Sequence, residues 1–168
     1  IGWCDWSSDV CSSDLVKGSG ATDGNYNNDG ATGTHALAAG VNASASAEHS
    51  VAVGSAAKAM DKGTVAFGND AQATGRDALG IGTTTRANGM GATAIGNTAE
   101  STKHGVAIGN GAHAKATGGY STAVGTGSKA MGEAAVALAN DAKAGGRSSV
   151  AVAVGRSEER RVGKECRS

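Results

Sequence analysis

The chain has 168 residues, fifteen basic and fifteen acidic side chains for a formal net charge of +0, 28 glycines, no proline and only 3% aromatic residues. Singly scattered, balanced charge gives no electrostatic case for nucleic acid or an anionic membrane. So few large side chains also exclude an ordinary compact globule, which needs them to offset conformational entropy.

From the N-terminus, Asp5 to Leu15 reads DWSSDVCSSDL, and at the other end Arg156 to Ser168 reads RSEERRVGKECRS. Both resemble translated sequencing adapters, so 1–15 and 156–168 are taken as disordered adapter artefact and set aside from fold reasoning. All three cysteines (Cys4, Cys11, Cys166) and both tryptophans (Trp3, Trp6) lie in or beside these ends. No disulfide framework or cysteine zinc site is therefore expected. Five basic and six acidic residues go with the ends, leaving ten and nine. Residues 16–36, with NYNNDG at 25–30, read as a lead-in or a degraded coil.

From 37 to 155 a tetrad of aliphatic, small, aliphatic and Gly or Ala recurs. Its fourth position falls at Gly40, Gly54, Gly68, Gly82, Gly96, Gly109, Gly125, Ala139 and Ala153, at intervals of 14, 14, 14, 14, 13, 16, 14 and 14. Composition alone would allow disorder, but a disordered chain has no reason to hold register. A short fixed period points to an all-β parallel solenoid of about nine 14-residue coils. In SVAVG, Val51 and Val53 alternate with Ala52, a period of two that predicts a strand of four or five residues. Helix loses to glycines that recur every few residues at about 1 kcal/mol each.

Stacked copies predict a structural ladder of Val51, Val53, Val65, Phe67, Ile81, Ile95, Val106, Ile108, Val124, Val136, Leu138, Val150 and Val152. Turn glycines Gly40, Gly54, Gly68, Gly82, Gly96, Gly109 and Gly125 permit the departure from each strand. Asn69 with Asp70, Asn110 with Gly111 and Asn140 with Asp141 supply turn chemistry. A coil of this length has a perimeter of only about 46 Å, enough for two short strands and two turns, and nine coils make a rod about 43 Å long. So thin a core is not expected to sustain a lone chain. The alanine row opposite the aliphatics is expected to pack on other copies of the chain, and an obligate oligomer follows. The compensated slip between Lys103 and Tyr120 holds His104, His113 and Tyr120, the candidate binding irregularity.

The repeats SVAVGSAAKA, TVAFGNDAQATG, GVAIGNGAHAKATG and STAVGTGSKA resemble the head repeats of trimeric autotransporter adhesins, the YadA-like family of Gram-negative bacteria. That resemblance implies a left-handed β-roll, a homotrimer of this chain with two identical partners, and exposure on the cell surface beyond the outer membrane. It further implies multivalent attachment to host matrix, surfaces or other cells, with collagen or another extracellular matrix protein as partner. The family carries a signal peptide, neck, coiled-coil stalk and C-terminal barrel. No secretory apolar segment, sustained heptads or barrel strands are found here, so the chain reads as a piece of a passenger, with membrane contact only through an anchor it lacks.

No enzyme, cofactor or metal is expected. GTGSKA at 125–130 has no βαβ unit around it. His35, His49, His104 and His113 are dispersed, without an HExxH or a cysteine partner. Asp29, Asp61, Asp70, Asp77 and Asp141 sit in turn-like sequence rather than as catalytic pairs. The alternative is a structural or ice-binding β-solenoid, which should show a regular threonine row; TTT at 83–85 is isolated. A hexapeptide acyltransferase helix does not fit a period of 14, and the nonapeptides of calcium-binding solenoids are absent.

Overall fold

The computed structural model describes residues 29–152, so both ends read as adapter-derived, residues 16–28 of the lead-in and the last tetrad position, Ala153, lie outside the described residues. Each coil lays down a three-residue strand, as at Val51–Val53, Val65–Phe67 and Leu79–Ile81, and then a two-residue strand, as at Lys58–Ala59, Gln72–Ala73 and Arg86–Ala87. The long strands form a nine-stranded sheet and the short ones an eight-stranded sheet, in each of which every coil pairs in parallel with the next. The result is an all-β parallel solenoid. Residues before Leu37 join the same ladder, with Ala31 bridged to Ala45 and the His49 amide donating to the Thr34 carbonyl at 2.9 Å.

The strands are shorter than the four or five residues expected, because the fourth tetrad residue has already left the extended region. Gly40, Gly54, Gly68, Gly82, Gly96, Gly109 and Gly125 have φ between 125° and 134°. Two further columns run along the roll in the left-handed region. One holds Asn42, Ala56, Asp70, Thr84, Thr98, Gly111, Gly127 and Asp141; the other holds His35, His49, Gly63, Asp77, Gly91, His104, Tyr120, Ala134 and Ser148. Their amides donate to the preceding coil, as from Asp77 to the Lys62 carbonyl at 2.9 Å and from His104 to the Met90 carbonyl at 2.8 Å. Asn, Asp and Gly tolerate this region best, yet Ala, Thr and Ser also occupy it here, held by the ladder.

The core reverses one expectation. Ala52, Ala57, Ala59, Ala66, Ala71, Ala73, Ala94, Ala107 and their equivalents are buried between the two sheets, whereas the ladder aliphatics of the tetrads point outward. The alanine row is the core and not the surface offered to other copies. The physical reason is the small perimeter: a 14-residue coil brings its sheets so close that each inward position holds a methyl group and little more. Phe67 is 53% exposed and Val152 65%.

Interiors this tight are sensitive to single atoms, and one departure from alanine is matched locally. A Cβ at Gly80 would lie 3.5 Å from Thr85 Oγ1, and one at Gly105 would lie 2.8 Å from Ser101 Oγ. The larger Ser101 thus uses room that a missing methyl group leaves, whereas at Gly80 the tight neighbour is the Gln72 carbonyl oxygen at 3.1 Å. Buried hydroxyls are satisfied at the corners: Ser50 donates to the Ala47 carbonyl at 2.6 Å, Thr64 to Asp61 at 2.6 Å and Ser128 to Gly125 at 2.8 Å. No buried side-chain polar atom among the described residues lacks a partner.

Candidate interaction surfaces

The period-two alternation that sends alanine inward sends every other strand residue outward, and the two sheets present different chemistry. On the nine-stranded sheet one outward column runs Leu37, Val51, Val65, Leu79, Thr93, Val106, Thr122, Val136 and Val150. The second runs Ala39, Val53, Phe67, Ile81, Ile95, Ile108, Val124, Leu138 and Val152. Every ladder residue singled out from the sequence falls in these columns. Neither column contains a charge. A face of this kind is poorly suited to water and well suited to a protein surface.

The outward column of the eight-stranded sheet is polar: Ser44, Lys58, Gln72, Arg86, Glu100, His113, Lys129 and Lys143. Glu100 stands at its centre, with Lys115 Nζ at 2.6 Å, His113 Nδ1 at 3.1 Å and Arg86 at 3.5 Å. The hydrogen bond from Lys115 holds the Glu100 carboxyl below the ordinary glutamate value of 4.5, partial burial opposes it, and the charges of Lys115 and His113 add to the lowering. A lowered folded-state pKa contributes stability above the unfolded value, which is lost as pH falls through the folded one. Glu100→Gln should therefore cost about 1 kcal/mol at neutral pH, discounted for the exposed lysine. The gap from the parent should close in thermal melts as pH drops below about 4. A gap unchanged at acid pH would show that the carboxylate is not the source.

The slip in the repeat resolves into one corner, where the chain returns from the eight-stranded to the nine-stranded sheet. In a regular coil this corner is 60–64; in the next-to-irregular coil it is 102–105, one residue shorter, and then 115–121, two residues longer. The longer corner turns Ala116 into the core, and Thr102 Oγ1 donates to the Ala116 carbonyl at 3.1 Å. His104 and Tyr120 stack at 5.1 Å between ring centroids, 15° from parallel. His113 does not join them. It lies on the eight-stranded sheet against Glu100.

His35 and His49 occupy the same corner column as His104 and Tyr120, and they too stack, at 5.1 Å. Beside them Glu48 pairs with Lys62 at 2.8 Å and with His49 at 3.2 Å. The 14-residue separation of His35 and His49 was a usable signal for this pair. Among the described residues no three His, Cys, Asp or Glu side chains are grouped to hold a metal ion. Asp70, Asp77 and Asp141 serve left-handed turn positions. Thr83 and Thr84 lie at a corner while Thr85 points inward, so they form no threonine row.

The model of the YadA head domain repeat matches residues 31–57, 62–79, 73–99, 103–128 and 116–138, together more than half of the chain. The chain belongs to the YadA head-repeat family. The breaks between those matches include 100–102, next to the shortened corner. The fold is similar to the crystal structure of the collagen-binding domain of the Yersinia adhesin YadA, with a TM-score of 0.53 and 24% identity over 79% of this chain and 73% of that one. No curated protein matches the chain. The tetrads from 37–40 to 122–125 all lie within the matched residues.

Proposed function

We propose that this chain is the head of a surface adhesin that works as a homotrimer and attaches to host matrix, surfaces or other cells by repeated weak contacts. The observation that carries the reading is the pairing of YadA head repeats with a roll that is apolar on one outer sheet and polar on the other. Three copies packed through their nine-stranded sheets cover the apolar columns and leave the polar sheets facing outward. Many modest sites held in register along a rod then give avidity without any single strong pocket.

The partner we favour is collagen or another extracellular matrix protein, on the strength of the fold shared with a collagen-binding domain. The setting is the exterior of a Gram-negative outer membrane. We assign it a binding role and no catalytic step. The test is adsorption of the purified chain to immobilised triple-helical collagen and to whole matrix extract. Saturable binding to collagen supports the proposal. Binding to extract alone moves the partner to another matrix protein, and binding to neither overturns attachment to host matrix.

A further inference from the structure

The charges of this chain balance overall but not by face. The nine-stranded sheet presents none, whereas the eight-stranded sheet ends in two lysines, Lys129 and Lys143, directly opposite each other, with His113 on the rung before them. Lys129 and Lys143 are both exposed, and Lys115 lies exposed one rung away. Like charges directly opposite one another in a sheet are destabilising. The sheet therefore tolerates a local cost that nothing in the described chain relieves.

The one carboxylate in the row, Glu100, has both oxygens engaged by Arg86, His113 and Lys115. Asp141, the acid nearest Lys143 in sequence, folds back over Gly127 and pairs with neither lysine. We propose that this row is a docking surface for a linear sulfated polysaccharide running along the rod, its anionic groups meeting cations that recur at the strand spacing of about 4.8 Å.

Charge complementarity selects an anionic polymer. The absence of Phe, Tyr and Trp from its outward column selects a polysaccharide over a single-stranded nucleic acid, which is held by stacking platforms. The surface is separate from the apolar sheet. Local conflict between sheet stability and charge is the pattern found where function overrides folding.

The full chain should bind immobilised heparin at moderate ionic strength and release it as salt rises. Lys129→Gln with Lys143→Gln should weaken that binding about tenfold or more. The same double variant should melt no lower than the parent, since it removes a like-charge pair. Desulfated heparin should compete poorly. The proposal is overturned if the parent does not bind heparin, if the double variant binds as well as the parent, or if single-stranded DNA competes as effectively as heparin. Adsorption of the parent to collagen is measured separately, so failure to bind heparin leaves the adhesin reading standing.

Discussion

Gly68→Ala should be strongly damaging to this roll, lowering stability by about 4 kcal/mol or more. The backbone there has φ of 134°, a region essentially closed to residues with a Cβ. An added Cβ would also sit 2.4 Å from the Gly82 carbonyl oxygen and 2.7 Å from its carbon. Gly82 cannot withdraw cheaply, because its amide donates to the Phe67 carbonyl at 2.8 Å and its oxygen accepts from Thr85 at 3.2 Å. A solenoid transmits stability only between neighbours. The break should therefore divide the ladder, and urea unfolding followed by circular dichroism should show a lower midpoint and a broader or split transition. A variant within about 0.5 kcal/mol of the parent would remove the steric argument.

Ala139 offers the reverse experiment within the same column. It carries a Cβ where the equivalents from Gly40 to Gly125 carry none, and its φ is 98° rather than 125° to 134°. The backbone has rotated part of the way toward the ordinary left-handed region. Ala139→Gly relieves that strain, worth about 1 to 2 kcal/mol, but adds unfolded-state freedom worth somewhat less. A net gain of up to about 1 kcal/mol is expected, so the two substitutions should move stability in opposite directions.

The tetrad spacing was enough to read the solenoid and its two-strand coil, because a period of two with glycine every 14 residues has few geometric solutions. It was not enough to say which face is inside. Alternation in VAVG separates Val51 and Val53 from Ala52 without ranking the two faces, and the usual preference for burying the larger side chain fails here. What decides is the gap between the sheets, a property of coil length rather than of any residue. The pairing of His104 with Tyr120 and the separation of His113 depend on where one lost and two added residues fall. Both changes enter the same corner, 102–105 and then 115–121.

Placing lysine at both Ile81 and Ile95 should convert the proposed homotrimer into monomers. These residues are directly opposite on neighbouring strands, in the middle of the second apolar column. The face they belong to is about 40 Å by about 10 Å in outline, the size at which an exposed apolar patch marks an interaction site. Around a three-fold axis each substitution appears three times, so like charges from all copies would be brought together and stripped of water. Removing a charge from water without a partner costs several kcal/mol, enough to reverse an association of ordinary strength. Light scattering after size exclusion should give the trimer mass for the parent and the monomer mass for the double variant. Ser46→Lys, exposed beside the eight-stranded sheet, should leave the trimer intact. A parent that is monomeric, or a charged variant that remains trimeric, would show that the apolar columns serve some other contact. Because the core is built almost entirely of alanine, serine and threonine, separated rolls should also melt at lower temperature, which ties the stability of each coil to the surface it shares with its neighbours.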